Sequence, residues 1–237
     1  MNADASINSG KTLTVNGKIN FNTKVLSGAG AFNLTSGATV YTGNSNGLAG
    51  SLANTTVTRD AAANYVFNGS VAQTISSASN SIPATITGNL VIDNPAGVTL
   101  GANKTVNTPG TFTVKANAVF YFGTGVSTNS YNINGTGNLS VESGASLFIT
   151  NSNGITSDGT TGSIRLTGSR SFASGVNYTF TKSDGINQSK TGASFGSEIT
   201  SVNNMAFNNP LGSRLSTNVT VNGTLSLLSG KLNTDAN

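Results

Sequence analysis

An internal repeat constrains the fold of this 237-residue chain more than any other feature of the sequence. The segment SGAGAFNLTSGATVYTGNSNGL, which begins at Ser27, recurs as NGTGNLSVESGASLFITNSNGI at a constant spacing (135 − 28 = 107). Later matches drift by a few residues, since Asn64 recurs as Asn177 (177 − 64 = 113) and Asn94 as Asn209 (209 − 94 = 115). Such drift is typical of insertions in loops between strands that keep their pattern. The sequence therefore predicts about two copies of a unit of about 110 residues.

The repeat divides the chain into three parts. Residues 28–134 are the first unit and residues 135–237 the second. Residues 1–27 are interpreted as the end of a preceding unit, because TVNG at 14–17 matches TVNG at 220–223. We expect these parts to form one continuous solenoid, as in a segment taken from a longer array.

Short runs in which apolar and polar residues alternate, separated by Gly and Asn, predict β-strands throughout the chain. Examples are residues 31–34, 39–41 and 89–92, together with Val98–Leu100 and Thr111–Val114. No window places apolar residues at i, i+3, i+4 and i+7 over three turns, so helices are not expected. Short strands at close spacing fit either a β-sandwich or a β-solenoid.

Many of the predicted strands carry only two inward apolar residues, which favours the solenoid. The clearest pairs are Leu13 with Val15, Leu147 with Ile149, and Leu225 with Leu227. Two such residues suffice in a solenoid, because the same positions on adjacent rungs complete the core. We predict an all-β, elongated, right-handed parallel β-helix with rungs of about 20 residues that rise about 4.8 Å each. Tandem β-sandwich domains remain the alternative.

Composition restricts the function classes. Only 8% of residues are charged, the net charge is +4, and the scattered cations form no basic cluster, so nucleic-acid binding is not expected. No apolar run approaches the roughly 20 residues of a membrane-spanning helix, so we expect no membrane insertion. The chain has no Cys and no His, and therefore lacks thiolate chemistry, the usual general base and the commonest metal ligand. We expect no cofactor and no enzymatic activity.

Carboxylates and glycines are the remaining candidates for chemistry. Stacked rungs could bring Asp60 and Asp184 together as a glycosidase pair, but these residues occupy different repeat positions. A polysaccharide-degrading enzyme is therefore the weakest hypothesis. The Gly-x-Gly pairs at Gly28 and Gly135 lack the following helix that a phosphate-binding loop requires, so we interpret them as corner glycines.

Tyrosine residues are the candidates for ligand binding. The chain has five of them: Tyr41, Tyr65, Tyr121, Tyr131 and Tyr178. Tyr65 and Tyr178 occupy equivalent repeat positions and could form a sugar-stacking platform, whereas packing in the core or between rungs is the competing interpretation. Loops that differ between the two copies are the other place where a ligand surface is expected.

Asparagine residues are abundant at the predicted corners. Each could stack on Asn of the next rung and share amide hydrogen bonds, as in cross-β ladders. Alternatively, Asn serves there as a turn residue that tolerates a left-handed backbone.

The recurring runs SGA-x-L, NY-x-F, AGVTL and TVNGTLSLLSGKL carry a resemblance over residues 11–234. They resemble the repeat regions of very large surface proteins of the Bacteroidota that are exported by the type IX secretion system, including gliding-motility adhesins. The resemblance implies a β-helical stalk or filament segment of a secreted, extracellular adhesin, which gives a rigid rod for surface attachment or motility. It implies no catalytic residues. The expected partners are neighbouring repeats or end-to-end copies, and polysaccharide or solid surfaces. A carbohydrate-binding module is the second hypothesis.

Overall fold

The computed structural model of the chain describes residues 1–124, 130–181 and 187–234. In this part of the chain the secondary structure is almost entirely β, with a single helical turn, α1, at Gly47–Ser51. The strands are β1 Ala5–Ser6, β2 Thr12–Val15, β3 Lys18–Asn20, β4 Leu26–Leu34, β5 Thr39–Thr42, β6 Leu52–Arg59, β7 Asn64–Phe67, β8 Gln73–Ile75, β9 Thr85–Ile86, β10 Leu90–Ile92, β11 Val98–Leu100, β12 Lys104–Val106, β13 Thr111–Val114, β14 Val119–Tyr121, β15 Ile133–Gly135, β16 Asn138–Val141, β17 Ser146–Ile149, β18 Ile164–Leu166, β19 Arg170–Phe172, β20 Asn177–Thr181, β21 Ser189–Lys190, β22 Ser201–Val202, β23 Met205–Asn208, β24 Ser213–Arg214, β25 Thr220–Val221, β26 Leu225–Ser229 and β27 Leu232–Asn233.

Parallel pairing between successive rungs builds three long sheets. Sheet 1 contains β3, β5, β7, β10, β13, β16 and β19, in that order. Sheet 2 contains β8, β11, β14, β17, β20, β23 and β26, and sheet 3 contains β9, β12, β15 and β18. Along the chain, β10 lies in sheet 1, β11 in sheet 2 and β12 in sheet 3, and β13 then returns to sheet 1. The fold is therefore a three-sided parallel β-helix, which confirms the predicted fold class over the tandem antiparallel sandwiches.

The rungs near both ends have the predicted length of about 20 residues, as from Leu13 to Phe32 (32 − 13 = 19) and from Met205 to Leu225 (225 − 205 = 20), whereas the rungs between them are longer. Register partners in sheet 1 run from Leu90 to Phe112, Leu139 and Arg170, and the spacing grows at each step (112 − 90 = 22, 139 − 112 = 27, 170 − 139 = 31). The extra residues lie mainly at the corner between sheets 2 and 3. Residues 101–103 connect β11 to β12, whereas residues 150–163 connect β17 to β18. Corner loops thus set the rung length while the strands stay short.

One core cluster fills the interior from Ile7 to Phe207. In β13 and β17 alternate residues are buried, as expected when one face of a strand packs on the core. Aromatic rings contact each other inside, as in the edge-on pair of Phe112 and Phe120 at 5.1 Å. Within the described residues, the two sequence units share this one core.

The sequence repeat does not correspond to a whole number of rungs. Tyr65 lies on β7 in sheet 1, but the equivalent Tyr178 lies on β20 in sheet 2. Four steps along sheet 1 lead from β7 to β19, and β20 is the next strand of the chain. One unit therefore comprises four complete rungs and one additional side of the three-sided helix. Equivalent residues in consecutive units consequently lie on different faces of the solenoid.

Two local features complete the first part of the solenoid. The Asn16-Gly17 turn separates two parallel pairings, Val15 with Leu34 and Lys18 with Thr39, so it forms a corner between sheets and not a hairpin. The helical turn α1 was not expected. It places Leu48 in the core, where the side chain is buried.

The repeated Gly-x-Gly segments are corners, as predicted. Gly28 and Gly135 have φ of 104° and 117°. A Cβ atom at these positions would lie 2.4 Å from the carbonyl oxygen of Ile7 and 2.3 Å from that of Val106. Only glycine combines a positive φ with so close an approach of two rungs.

Candidate functional site

The Tyr65 and Tyr178 platform predicted from the repeat is not present on the surface. Both side chains are buried, with relative exposures of 0% and 1%. Tyr65 lies in an inward column between Val40 and Leu90, and its hydroxyl donates to the carbonyl oxygen of Asp60 at 2.7 Å. Burial raises the pKa of both phenols. The ligand-binding assignment of these two residues is therefore corrected to a core role, because strand alternation turns both rings inward.

The carboxylates are engaged locally and do not converge. Asp60 accepts the backbone N–H of Ala62 at 2.8 Å, and Glu142 forms an ion pair with Lys115 at 2.7 Å. Asp158 accepts hydrogen bonds within its own loop, chiefly from Thr161, and these lower its pKa. Asp184 and Asp235 lie outside the described residues, so the candidate pairing of Asp60 with Asp184 is not placed. Among residues 1–124, 130–181 and 187–234, no group of three potential metal ligands comes together.

Asparagine amides form hydrogen-bonded ladders between rungs. The Asn64 Oδ1 atom accepts both the backbone N–H and the side-chain amide of Asn89, at 3.0 and 2.9 Å. The Asn89 Oδ1 atom in turn accepts the backbone N–H of Thr111 at 3.1 Å. The equivalent residues Asn177 and Asn204 repeat this ladder on the next side of the solenoid. The ladder hypothesis is therefore confirmed at these positions.

Other asparagines serve as turn residues, and Asn22 and Asn117 have the left-handed backbone of the alternative interpretation, with φ of 51° and 63°. Both interpretations therefore apply at different places. The Oδ1 atoms of Asn94 and Asn209 each accept a backbone N–H from two residues ahead, at 2.8 Å from Ala96 and 3.1 Å from Leu211. Both asparagines are buried.

The outward face of sheet 2 carries a stacked aromatic pair. Tyr121 on β14 and Phe148 on β17 are register partners on adjacent rungs. Their ring centroids are 4.3 Å apart and the ring planes are inclined by 24°. Both side chains are half-buried. A groove of about 280 Å³ lies beside the pair, and its lining consists of Tyr121, Gly123, Thr124, Phe148, Thr150, Thr181 and Asn208.

The aromatic stack is limited to two rungs. The register places Thr99 before Tyr121, and Thr179 followed by Ala206 after Phe148. At these described positions no aromatic side chain continues the row on either side. Two small side chains therefore follow the Phe148 ring along the axis, and the groove extends in that direction as far as Asn208.

Sequence reasoning identified Tyr121 as one of five tyrosines and missed Phe148. The signal was available, because inward Leu147 and Ile149 leave the intervening residue facing outward. Likewise Phe120 and Phe122 are buried on either side of Tyr121. The contact between two outward rings required the register of β14 and β17.

The C-terminal rung exposes its inward side chains. Leu225 and Leu227 on β26 are 50% and 55% exposed, although they stack on the buried Met205 and Phe207 of the preceding rung. These leucines are apolar, and the described residues place no further rung over them. Within the described residues, β26 thus presents an apolar strand with an unpaired edge.

No protein-family model, curated protein or solved structure matches the chain. Among the described residues, no helix is long and apolar enough to cross a membrane. The fold and its internal repetition define the class of protein as a parallel β-helix repeat protein.

Proposed function

We propose that this chain is a structural stalk or filament segment of a large secreted cell-surface adhesin. Its role is mechanical, without enzymatic activity: a rigid β-helical rod that serves attachment or motility outside the cell, on a protein exported through the type IX system. Two seven-stranded parallel sheets and one core cluster support this proposal. Such ladders resist bending because every rung is hydrogen-bonded to its neighbours.

The repeat supplies the length of the rod. The seven strands of sheet 2 span six steps of about 4.8 Å, or about 29 Å along the axis. Each unit of four rungs and one further side adds about 21 Å by the same spacing. Tandem units therefore extend the rod in proportion to their number, and polar contacts with polysaccharide or solid surfaces accumulate along it.

The observation that carries the proposal is the contrast between equivalent rungs. Leu225 and Leu227 correspond in the repeat to Phe112 and Val114 (225 − 112 = 113), which are fully buried. There, β16 at the start of the second unit covers the last rung of the first unit by parallel pairing with β13. This contrast supports the proposal that another rung of the same type, supplied by a neighbouring repeat or by a second copy, covers the C-terminal rung.

Sedimentation velocity over a concentration series tests the end contact. We expect the wild-type chain to associate end to end, with a weight-average sedimentation coefficient that rises with concentration. Leu227→Lys should abolish this rise, because an ammonium group cannot be buried unpaired beneath a new rung. Val71→Lys is the matched control, since Val71 has a similar exposure of 49% but lies beside β8, the strand of sheet 2 farthest from β26.

Two results would contradict the proposed function. One is a wild-type chain that stays monomeric at high concentration. The other is equal association of the Leu227→Lys variant. Small-angle scattering on the dilute chain provides an independent check, since a rod has a narrow, constant cross-section whereas two compact lobes would not.

A further inference from the structure

We propose that the groove beside the Tyr121–Phe148 stack binds one pyranose ring of a neutral polysaccharide. This inference goes beyond the mechanical function, because it assigns a discrete ligand site to one face of the rod. It depends on the outward side chains of sheet 2 and not on the state of the C-terminal rung.

The aromatic pair supplies an apolar surface for the C–H face of a sugar. The two rings contact each other at 4.3 Å and hold one another in place. Little side-chain entropy is therefore lost when a ligand packs on them. Because Thr179 and Ala206 are the next side chains along the row, the side of the Phe148 ring that faces away from Tyr121 meets no other aromatic residue. The groove lies beside both rings, over Gly123, Thr150, Thr181 and Asn208.

Polar groups at the rim match sugar hydroxyls. The Asn208 Oδ1 atom accepts a hydrogen bond from Ser229 at 2.9 Å, which orients the amide, and its nitrogen donates to no described residue. Tyr121 and Thr181 lie on the same lining. The Thr181 hydroxyl donates to the Ile149 carbonyl oxygen at 3.4 Å, so it faces a ligand as a hydrogen-bond acceptor. By contrast, the Thr150 hydroxyl donates to the Phe122 carbonyl oxygen at 2.7 Å and forms a fixed wall. An apolar floor with a few polar groups is the usual composition of a small-ligand site.

Charge and size specify the ligand class. Among the described residues, the seven that line the groove carry no charged side chain, so a uronic acid or sulfated sugar finds no counter-ion among them. A volume of about 280 Å³ lies just below the roughly 300–1,000 Å³ of pockets for drug-sized ligands. The groove therefore suits a single neutral ring of a longer chain that continues over the surface.

The repeat provides a matched control position. Tyr41 is the equivalent of Phe148 in the first unit (148 − 41 = 107) and also faces outward. It lies on sheet 1, where its register partners are Asn20 and Val66, so no aromatic stack forms. The proposed site is therefore not copied by the sequence repeat.

Affinity gel electrophoresis of the full chain tests the proposal. The gels contain neutral polysaccharides (laminarin, xyloglucan and galactomannan) or acidic ones (alginate and polygalacturonate). We expect retardation by at least one neutral polysaccharide and none by the acidic pair. Phe148→Ala and Tyr121→Ala should each weaken the apparent affinity at least about tenfold, as for an aromatic anchor of an interface, whereas Tyr41→Ala should not.

Several outcomes would overturn the site. They are an absence of retardation by all three neutral polysaccharides, retardation by acidic polysaccharides alone, and an equal loss of affinity in Tyr41→Ala. Far-UV circular dichroism and thermal unfolding establish that each variant is folded, which is expected because all three side chains face outward and are only half-buried. The stalk function is tested by association at the C-terminal rung, so failure of sugar binding leaves that test unaffected.

Discussion

A buried glutamine links three successive rungs, and its replacement is the sharpest test of how the solenoid is stabilised. Gln73 begins β8 in sheet 2 and is 1% exposed. Its amide nitrogen donates to the carbonyl oxygens of Thr42 and Asn44, at 2.8 and 3.0 Å. Its Oε1 atom accepts the backbone N–H of Gly69 and the side-chain amide of Asn94, both at 2.9 Å. The side chain therefore satisfies four polar groups that lie at least partly inside the solenoid.

The Gln73→Leu variant keeps the approximate volume and removes all four hydrogen bonds. Each intramolecular bond contributes about 1 kcal/mol, and buried partners that stay unpaired cost about 1–3 kcal/mol each. The added apolar surface and partial relaxation offset part of this loss. We therefore expect a loss of about 3–5 kcal/mol in the free energy of unfolding. For a chain of this size, the melting temperature should fall by about 2–4 °C per kcal/mol, or about 6–20 °C.

Urea and thermal unfolding of wild type and variants measure this loss. Gln188→Leu is the control, because the chain's other glutamine is exposed and should change stability by less than about 0.5 kcal/mol. Gln73→Glu keeps both acceptor contacts but buries a carboxylate, so it should recover part of its stability at low pH, where the protonated carboxyl can donate. If Gln73→Leu melted within about 2 °C of Gln188→Leu, the buried amide network would not be a stabilising element.

Two further predictions concern a corner glycine and a buried lysine. Gly135→Ala should lower the free energy of unfolding by about 3 kcal/mol or more, because the new Cβ atom would lie 2.3 Å from the Val106 carbonyl oxygen at a φ of 117°. Gly17→Ala is the control, since a Cβ atom there meets no atom within 4 Å and should not lower stability in this way. Equal urea midpoints for the two variants would refute a steric role for Gly135. Burial lowers the pKa of Lys104 from 10.5 to about 8. Between pH 8 and 10 the unfolded chain keeps the Lys104 proton that the folded chain has released, so the free energy of unfolding should rise with pH, by at most about 3 kcal/mol. Urea titrations at several pH values measure this rise, and Lys104→Met should flatten it. If the variant showed the same dependence on pH, the rise would come from other groups.

The alternation of inward and outward side chains along each strand could be predicted from the sequence, because it is a local property of the extended backbone. Successive side chains of an extended backbone point to opposite faces, so inward Leu147 and Ile149 follow from the pattern alone. Val98–Leu100 and Thr111–Val114 are strands with the predicted bounds. The repeat of Asn64 as Asn177 likewise identified equivalent positions, and both residues make equivalent ladder contacts.

The site could not be read in this way, because it depends on which rung lies next to which. Tyr121 and Phe148 lie one full rung apart in the chain, and they meet only through the register of β14 and β17. The length of each rung depends on its corner loops, and lengthening a loop costs little entropy. The chain therefore tolerates a short step from Leu90 to Phe112 and a longer one from Leu139 to Arg170, and no fixed period in the sequence predicts which side chains become neighbours.

The sequence by itself determined an all-β fold, the positions of many strands and the equivalence of the two units, since all three rest on local alternation and direct comparison of residues. It favoured the β-helix over tandem sandwiches, and the parallel pairing between rungs decided between them. The tertiary structure decided that each unit covers four rungs and one further side, which places Tyr65 and Tyr178 on different sheets. It also turned both tyrosines into the core and brought Tyr121 against Phe148 on the surface. Register between rungs is set by packing of inward columns across the whole solenoid, and that packing exists only in three dimensions.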